Sequence, residues 1–325
     1  MSESLFDVLV QSAKCEAKGV LSFELCRPDG SDLPAFTAGS NIDFHLPNGI
    51  VRNYSLVNSQ DERHRYVIAV ALDANSRGGS RYIFEYQLVG QMLQISAPRN
   101  NFKLAEDAPR TVLIGGGIGI TPLHSMVLRL QSLNKDWTLY YGARERACAA
   151  FREEFEALAA THPGRVHLNF DLEQGQMLDI ARIVSETPRD AHLYCCGPLP
   201  MLEAFKTATF SRPSDMVHLE YFAAPPTPPA SILPPGLQPF TVVLAKSGKE
   251  FEIQPGQSIL DVLLDNGVHA ASSCRSGECG SCVVDVLEGE PRHRDYVLSE
   301  NEKASNKVMT ICVSGSRSKR LVIDL

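Results

Sequence analysis

Four cysteines near the end of the chain have the types and spacing to bind a metal cluster. Cys274, Cys279 and Cys282 lie in the segment CRSGECGSC, and Cys312 follows, so the full spacing is C-x4-C-x2-C-x29-C. Four thiolates at this spacing match the pattern that holds a plant-type [2Fe-2S] cluster. Two glycines in the segment suit a loop that wraps closely around a cluster, where backbone N–H groups can donate to the sulfur atoms.

Two other roles for these cysteines stay open at the level of sequence. A four-cysteine zinc site usually uses two C-x2-C pairs, and this segment provides only one. Disulfides are disfavoured because the chain has nine cysteines, an odd number, and is expected in the cytoplasm. Cys15, Cys26 and Cys148 are isolated in the sequence, so we expect them to pack as small buried side chains.

A glycine run in the middle of the chain could bind a phosphate. The segment TVLIGGGIGITPLHSM combines a short apolar strand, a glycine run and the start of a helix. Glycines allow a sharp turn and let a pyrophosphate approach the backbone at the positive end of a helix. The residues concerned are Gly115, Gly116, Gly117 and Gly119, with Thr121 expected to cap the helix and Pro122 to suit its first turn. A structural turn is the alternative, because the run departs from the dinucleotide pattern G-x-G-x-x-G.

The apolar periodicity divides the chain into parts that position these motifs. Up to about residue 100, short runs such as RYVIAVAL alternate and are separated by turns, which predicts an antiparallel sheet or barrel. From about residue 110, strands and helices alternate, which predicts a parallel sheet with crossover helices. The stretch AAPPTPPASILPPGLQP is dominated by proline and predicts an extended linker. The predicted domains are a barrel at 1–105, a parallel-sheet domain at 106–223, a linker at 224–239 and a small domain with the cysteine segment at 240–325.

Composition and charge bound the function. The chain has 325 residues, 44% hydrophobic and 21% charged, which is the balance of a soluble globular protein with two or three domains. A net charge of -7 argues against a nucleic-acid partner, since binding the phosphate backbone needs concentrated Lys and Arg. No apolar stretch is long enough to suggest a membrane span, and no signal peptide is evident, so a cytoplasmic protein is expected.

The last predicted domain resembles the plant-type ferredoxins over its whole length. FTVVLAKSGKEFEIQPG predicts two strands joined by a Ser-Gly turn, and SILDVLLDNGV predicts a helix with Ser258 as its N-cap and Gly267 at its end. The cysteine loop and the strand CVVDVLEG follow. The resemblance implies a β-grasp fold, an α+β arrangement, in which Cys274, Cys279, Cys282 and Cys312 bind the iron atoms.

The middle of the chain resembles the pyridine-nucleotide half of the ferredoxin-NADP reductase superfamily. The resemblance rests on GGGIGITP, on YYGAR, which ends at Arg144, and on CCGPLPM. The last segment matches the superfamily's C-G-P-x-x-M with Cys196, Gly197, Pro198 and Met201. It implies that Cys196 lies near the nicotinamide carbon that gives up hydride, with plain burial as the alternative. Cys195 is expected to face the other side of the strand.

The first domain carries residues similar to the flavin motif of that superfamily. RNYSL, residues 52–56, matches its R-x-Y-S pattern. The resemblance places Tyr54 against the isoalloxazine ring, Ser55 at the reactive flavin nitrogen and Arg52 at the phosphate, with Leu56 completing the motif. SRGGS then offers a second phosphate-binding turn formed by Arg77, Gly78, Gly79 and Ser80. The combination is similar to the FMN-binding branch, with FAD as the alternative.

The order of the parts resembles the phthalate dioxygenase reductase family along essentially the whole chain. In that family an aromatic residue just before the linker covers the flavin where nicotinamide enters, and Phe222 in HLEYF takes this position; a core aromatic is the alternative. The resemblance implies electron transfer from NADH through FMN and a [2Fe-2S] cluster to a Rieske-type oxygenase, with a monomer common in the family. Arg144 and Arg146 keep NADPH open, since a 2′-phosphate needs basic residues.

Two other functions are weighed against this one. A self-sufficient diaphorase that reduces small acceptors needs no protein partner. A binding module without enzymatic activity, whose four cysteines hold zinc, is colourless when purified. Neither alternative accounts for the flavin, nucleotide and cysteine motifs together.

Overall fold

The computed structural model describes residues 5–74, 76, 78–222 and 238–325. The chain divides between Phe222 and Ala223 into two compact units. Arg77 and residues 224–237 of the predicted linker lie outside the described residues. The predicted boundary at residue 105 falls inside the first unit, which therefore holds both the barrel and the parallel sheet.

The first part of this unit is an antiparallel sheet that closes into the predicted barrel. Its strands are β1 (Leu5–Ala17), β2 (Val20–Cys26), β3 (Asn41–His45), β4 (Val51–Ser55), β5 (Tyr66–Ala71) and β6 (Met92–Ser96). They pair in the order β4-β3-β6-β1-β2-β5. A bridge between Leu56 and Ile68 joins the two ends of this order, and the Val57 amide donates to the Val67 carbonyl at 2.8 Å. The barrel encloses a core in which alternate residues such as Val8, Val10, Phe23 and Leu25 are buried.

A short helix that the sequence did not suggest follows β5. Helix α1 (Gly79–Glu85) begins directly after Gly78, whose φ of 90° is in the left-handed region. Glycine adopts this backbone conformation without steric cost. The predicted glycine turn of SRGGS is therefore also the start of a helix.

The second part of the unit is the predicted parallel sheet with crossover helices. Its strands are β7 (Thr111–Gly116), β8 (Trp137–Ala143), β9 (Val166–Phe170), β10 (His192–Cys196) and β11 (Val217–Glu220). Its helices are α2 (Ile120–Ser132), α3 (Arg152–Thr161), α4 (Asp171–Gln174), α5 (Ile180–Glu186) and α6 (Leu199–Thr209). The strand order is β11-β10-β7-β8-β9, and every pair is parallel. The carboxyl ends of all strands therefore meet at one edge of the sheet.

The predicted cap of helix α2 is wrong. The N-cap residue is Gly119, and no side chain caps the helix. The Thr121 hydroxyl instead donates to the carbonyl of Ile118 at 3.0 Å, because Thr121 already lies inside the first turn. Pro122 lies in the first turn as predicted.

Direct contacts join the barrel to the parallel sheet. The ring nitrogens of buried His124 on α2 lie 3.0 Å from the Val57 carbonyl of the barrel and 2.8 Å from Glu154 on α3. The amide of Gly39 in the barrel donates to the Ser125 hydroxyl of α2 at 3.2 Å. These contacts fix the two halves of the unit against each other.

The second unit is a mixed sheet with a helix, as expected for a β-grasp. Its strands are β12 (Phe240–Leu244), β13 (Glu250–Ile253), β14 (Val283–Glu288), β15 (Pro291–Arg292), β16 (Val308–Thr310), β17 (Gly315–Ser316) and β18 (Arg320–Ile323). Five of them pair in the order β13-β12-β18-β14-β16, with β12 and β18 parallel, while β15 pairs with β17. The helices are α7 (Ile259–Asp265) and α8 (Glu300–Ser305).

The predicted ends of helix α7 are confirmed. The Ser258 side chain accepts a hydrogen bond from the Asp261 amide at 3.0 Å. Gly267, with φ of 72°, follows the last turn. In the part of the chain that the structure describes, no helix combines the length and apolar character needed to cross a membrane.

We expect the contact at Gly39 to be essential for joining the barrel to the parallel sheet. A Cβ atom at this position would lie 2.1 Å from the Phe102 carbonyl oxygen, and φ is +90°. Gly39→Ala should therefore lower the free energy of unfolding by about 3 kcal/mol or more, measured by urea denaturation. Gly19→Ala is the matched control, because Gly19 has φ +74° but no atom within 4 Å of its Cβ position. It should cost about 1 kcal/mol, and equal losses in the two variants would contradict this explanation.

Candidate functional site

The flavin motif lies on barrel strand β4. Strand alternation places Arg52 and Tyr54 on one face and Asn53 on the other. The Asn53 amide donates to the side-chain oxygens of Asn41 at 2.8 Å and Asp43 at 3.0 Å. These bonds fix strand β4 from the face opposite to Tyr54. The Tyr54 ring therefore has a fixed position, and it is partly exposed. Burial raises the pKa of the Tyr54 phenol, which therefore stays neutral.

The structure brings the two predicted phosphate motifs together. A Cβ atom on Gly79 would lie 2.6 Å from Nε of Arg52, so only glycine leaves room for this guanidinium beside the start of α1. The Ser80 hydroxyl accepts from the Asp73 amide at 3.2 Å and donates to Ser76 at 3.0 Å, which fixes the turn. A cation beside a tight glycine turn fits a terminal phosphate.

The two residues after Tyr54 differ in what they can offer a cofactor. Ser55 is buried at the end of β4, and its hydroxyl makes no hydrogen bond to another described residue. Leu56 lies wholly inside the barrel core, and its amide donates to the Ser40 carbonyl at 2.8 Å. Leu56 follows the last residue of β4, and its side chain is enclosed by the barrel core, so the flavin contact expected of this residue stays a prediction.

The nucleotide motifs meet at the carboxyl edge of the parallel sheet. A Cβ atom on Gly119 would lie 2.2 Å from the Cys196 carbonyl oxygen, and one on Gly116 would lie 2.7 Å from Pro198. The Gly197 Cβ position is 2.7 Å from the Met201 sulfur and 3.1 Å from Gly116. The glycine loop after β7 and the C-G-P loop after β10 are therefore in backbone contact. Elsewhere in the loop, Gly115 packs against α2, while no atom lies within 4 Å of the Gly117 Cβ position, which leaves space for a ligand there.

Cys196 is a neutral, fully buried thiol. Burial raises its pKa well above the usual value, and the nearby carboxyl of Glu220 raises it further. Its side chain belongs to the core that also contains Tyr194, two residues earlier on the same face of β10. Cys195 is equally buried and, by alternation, faces the other side, as the sequence predicts.

Glu220 is a site residue that the sequence did not reveal. Strands β10 and β11 pair in parallel so that Glu220 lies opposite Cys196. Its Oε2 atom is buried and has no hydrogen-bond partner among the described residues, and burial raises its pKa to about 8. Glu220 lies two positions before Phe222 in HLEYF. Its place beside this predicted site residue is the one feature of the sequence that could have indicated a role. An unpartnered buried carboxyl beside the nucleotide loops fits a site completed by a bound ligand.

Two other predicted residues lie at the surface. Phe222 is 40% exposed at the end of the first unit, so it is not the core aromatic considered as its alternative. Arg144 follows β8 and is exposed, with no side-chain partner among the described residues. Both therefore remain able to contact a ligand.

The four cysteines of the second unit lie together as two pairs. Cys274 is hydrogen-bonded to Cys279, which lowers the pKa of Cys274 to about 4. Cys282 is hydrogen-bonded to Cys312, which lowers the pKa of Cys282. In each pair the hydrogen bond lowers the pKa of one thiol and raises that of its partner, so two sulfur atoms share one proton.

The loop supplies the expected backbone donors to sulfur. The amides of Ser276 and Glu278 donate to Cys274 Sγ at 3.4 and 3.5 Å. Gly277 and Gly280 have φ of 78° and 75°, so the predicted need for glycine in this loop is confirmed. A Cβ atom on Gly277 would lie 2.7 Å from Val313, because the loop packs directly on the segment after Cys312.

The geometry fits a two-iron cluster better than a single zinc ion. Among the residues that the structure describes, no three His, Cys, Asp or Glu side chains converge as one metal ion requires. A tetrahedral zinc site needs four ligands around one ion. Two cysteine pairs, each able to bind one iron atom, match a [2Fe-2S] cluster.

Comparison with known families agrees with this geometry. Residues 242–315 match the family model described as a 2Fe-2S iron-sulfur cluster binding domain. Residues 113–207 match the model described as an oxidoreductase NAD-binding domain. The chain is therefore an oxidoreductase with a nucleotide-binding part and a ferredoxin-type part.

Two relatives and one solved structure align over nearly the full length. Tetrachlorobenzoquinone reductase of Sphingobium chlorophenolicum is 50% identical over 99% of this chain and 98% of its own. The phthalate 4,5-dioxygenase oxygenase reductase subunit of Pseudomonas putida is 41% identical over 96% of this chain and 95% of its own. A solved phthalate dioxygenase reductase, described as a modular structure for electron transfer from pyridine nucleotides to [2Fe-2S], is 38% identical, with a TM-score of 0.72 and coverage of 99% and 98%.

These matches run through the barrel, the parallel sheet and the second unit, since they cover 99% of this chain. On the sequence, the fold and these matches, the chain belongs to the phthalate dioxygenase reductase family.

Proposed function

We propose that this protein takes electrons from NADH and delivers them singly to a separate Rieske-type oxygenase. The observation that carries the proposal is that the flavin and nucleotide motifs assemble within one compact unit, while four paired thiols assemble in the other. When bound, FMN accepts hydride, and the [2Fe-2S] cluster carries one electron at a time. Reductase subunits of oxygenase systems among the relatives support the choice of acceptor.

Residues of the barrel hold the flavin in this proposal. When the flavin is bound, Tyr54 would lie against the ring, and Ser55, the last residue of β4, would place its hydroxyl at the reactive ring nitrogen. Arg52 binds the phosphate with the turn at Gly78, Gly79 and Ser80, to which Arg77 contributes. The place of Arg52 beside Gly79 supports a phosphate site at this turn.

Residues at the edge of the parallel sheet hold the nicotinamide nucleotide. The glycine loop takes the pyrophosphate, because its close packing leaves backbone and little else at the surface. Phe222 covers the flavin until nicotinamide enters. The residues proposed for this site are Gly115, Gly116, Gly117, Gly119, Thr121, Pro122, Arg144, Cys196, Gly197, Pro198 and Met201.

Cys196 and Glu220 keep the transfer site neutral and dry. Burial raises the pKa values of both groups, which favours their uncharged forms. Hydride transfer itself needs no nucleophile or general acid from the protein. Their role in the proposal is to shape the space beside the reacting carbon and to exclude water.

An anaerobic NADH titration tests this function directly. Absorbance reports bleaching of the flavin, and low-temperature EPR reports the reduced cluster. Bleaching followed by a rhombic [2Fe-2S] signal supports the path from NADH to the cluster. Bleaching without an iron signal means that electron flow ends at the flavin.

Cys279→Ser should separate the two units functionally. Loss of one ligand removes the cluster, so reduction of cytochrome c should be abolished while NADH still bleaches the flavin at the wild-type rate. Stopped-flow absorbance measures the flavin step, and steady-state assays measure cytochrome reduction. Cys15→Ser is the control, because Cys15 lies far in sequence from the cluster loop and is exposed. The expectation that Cys15, Cys26 and Cys148 are buried is wrong, since the other two are partly exposed. Loss of flavin reduction in Cys279→Ser would contradict the modular path.

Reduction of quinones is a second candidate, favoured by the relative named tetrachlorobenzoquinone reductase. A quinone can take two electrons and so does not require single-electron delivery. If quinones are the acceptors, Cys279→Ser should retain saturable turnover with a substituted benzoquinone, measured against NADH and quinone without protein. An oxygenase reductase should instead lose all delivery to its partner in this variant.

Glu220 predicts how stability depends on pH. An acid with a raised pKa keeps its proton in the folded state after the unfolded chain has lost it. With a folded pKa of about 8 against 4.5, the free energy of unfolding should fall as pH rises through this window. The slope is at most about 1.4 kcal/mol per pH unit.

Glu220→Gln should flatten that slope, because glutamine does not titrate. Urea denaturation at several pH values between about 5 and 8 measures it. Glu186→Gln is the control, since Glu186 forms an exposed ion pair with Arg182 at 2.7 Å. A wild-type slope unchanged by Glu220→Gln would show that the carboxyl is not the buried acid.

A further inference from the structure

The end of strand β8 carries two arginines that differ in their surroundings. In parallel nucleotide-binding sheets, the residues after the second strand contact the adenosine ribose, where a basic residue accommodates the 2′-phosphate of NADPH. Strand β8 lies next to β7, and Gly142 pairs with Gly116 of the glycine loop. Arg144 and Arg146 follow this strand, so they lie at the ribose end of the proposed nucleotide site.

Arg146 is fully engaged by carboxylates. Its Nη1 lies 2.5 Å from Glu156 on α3, and its Nη2 and Nε lie 3.1 and 3.3 Å from the two oxygens of Glu173 on α4. Its guanidinium carbon also lies 4.4 Å above the ring of Phe170. All three guanidinium nitrogens therefore have a partner, and one positive charge faces two negative ones.

The backbone fixes Glu173 at this position. The Leu172 amide, beside Glu173 on α4, donates to the Arg144 carbonyl at 3.0 Å. This bond ties the short helix to the end of β8. Glu156 is held from its other side by Arg152 at 2.6 Å, so neither carboxylate depends on Arg146 alone for its position.

These contacts oppose a 2′-phosphate in two ways. The Arg146 cation is already paired, and the Glu173 carboxylate beside it would repel a group of charge near -2. A ribose hydroxyl is neutral and meets neither penalty.

We propose that Glu173, together with Glu156, determines the preference for NADH by neutralising Arg146 at the ribose end of the nucleotide site. This inference rests on the proposed nucleotide site. Glu173 is then a residue that determines specificity for NADH over NADPH, although it contacts no reacting atom.

The test compares two nucleotides that differ only at the ribose. Adenosine 2′,5′-bisphosphate and 5′-AMP are titrated calorimetrically into the flavin- and cluster-containing protein at fixed ionic strength. Glu173→Gln should bind the bisphosphate about tenfold more tightly, with 5′-AMP binding changed by less than about twofold. The ratio of kcat/KM for NADPH over NADH should rise in parallel.

Controls separate charge at the ribose from charge nearby. Glu153→Gln removes a carboxylate from the same helix as Glu156, but Glu153 pairs with Arg152 at 3.6 Å rather than with Arg146. It should leave the ratio of the two affinities within about twofold of wild type. Adding Arg146→Ala to Glu173→Gln should remove the gain, because the released cation is then absent.

The outcomes distinguish failure of the Glu173 inference from failure of the proposed nucleotide site. An equal ratio in Glu173→Gln and Glu153→Gln, or a gain that survives Arg146→Ala, overturns the inference. Equal tightening of both nucleotides also overturns it, since that indicates a general change in the site. Failure of wild-type protein to bind 5′-AMP would instead remove the proposed nucleotide site itself.

Discussion

The site depends on the close approach between Gly119 and the carbonyl of Cys196. These residues end different strand–loop segments, yet a single methyl group on Gly119 would lie 2.2 Å from the carbonyl oxygen. The contact exists because β7 and β10 are parallel neighbours, so both loops leave the same edge of the sheet. It brings the glycine loop, the neutral thiol and the buried carboxyl of Glu220 within one small region, and the barrel is then fixed to the same helix through His124.

The parallel-sheet part has uncharged ionisable groups in its interior and charged side chains at its surface. Near Cys196, burial raises the pKa values of the thiol and of the Glu220 carboxyl, which favours their uncharged forms. At the far end of the nucleotide, carboxylates and guanidiniums are half-exposed and paired. Charges at this exposed end can take part in nucleotide recognition, because solvent and salt screen them. An unpaired charge in the interior would be destabilising.

In the second unit, the arrangement of the cysteines depends on contacts within a short loop. Its cysteine loop takes left-handed backbone conformations at Gly277 and Gly280, which turn amides toward sulfur and place the thiols in pairs. The same pairing distinguishes two irons from one zinc ion. Within this unit, one short loop and the residue two positions after β16 supply all four cysteines of the motif.

The sequence by itself determined the fold class, the order of the parts, the four cysteines and the flavin and nucleotide motifs. These depend on short segments, in which apolar period and residue spacing are visible directly. Only the tertiary structure showed that Gly119 rather than Thr121 begins helix α2, that Leu56 faces the barrel core, that Glu220 lies beside Cys196 and that Glu156 and Glu173 occupy Arg146. Each of these depends on strand pairing or contacts between residues distant in the chain, and no local pattern specifies which elements become neighbours.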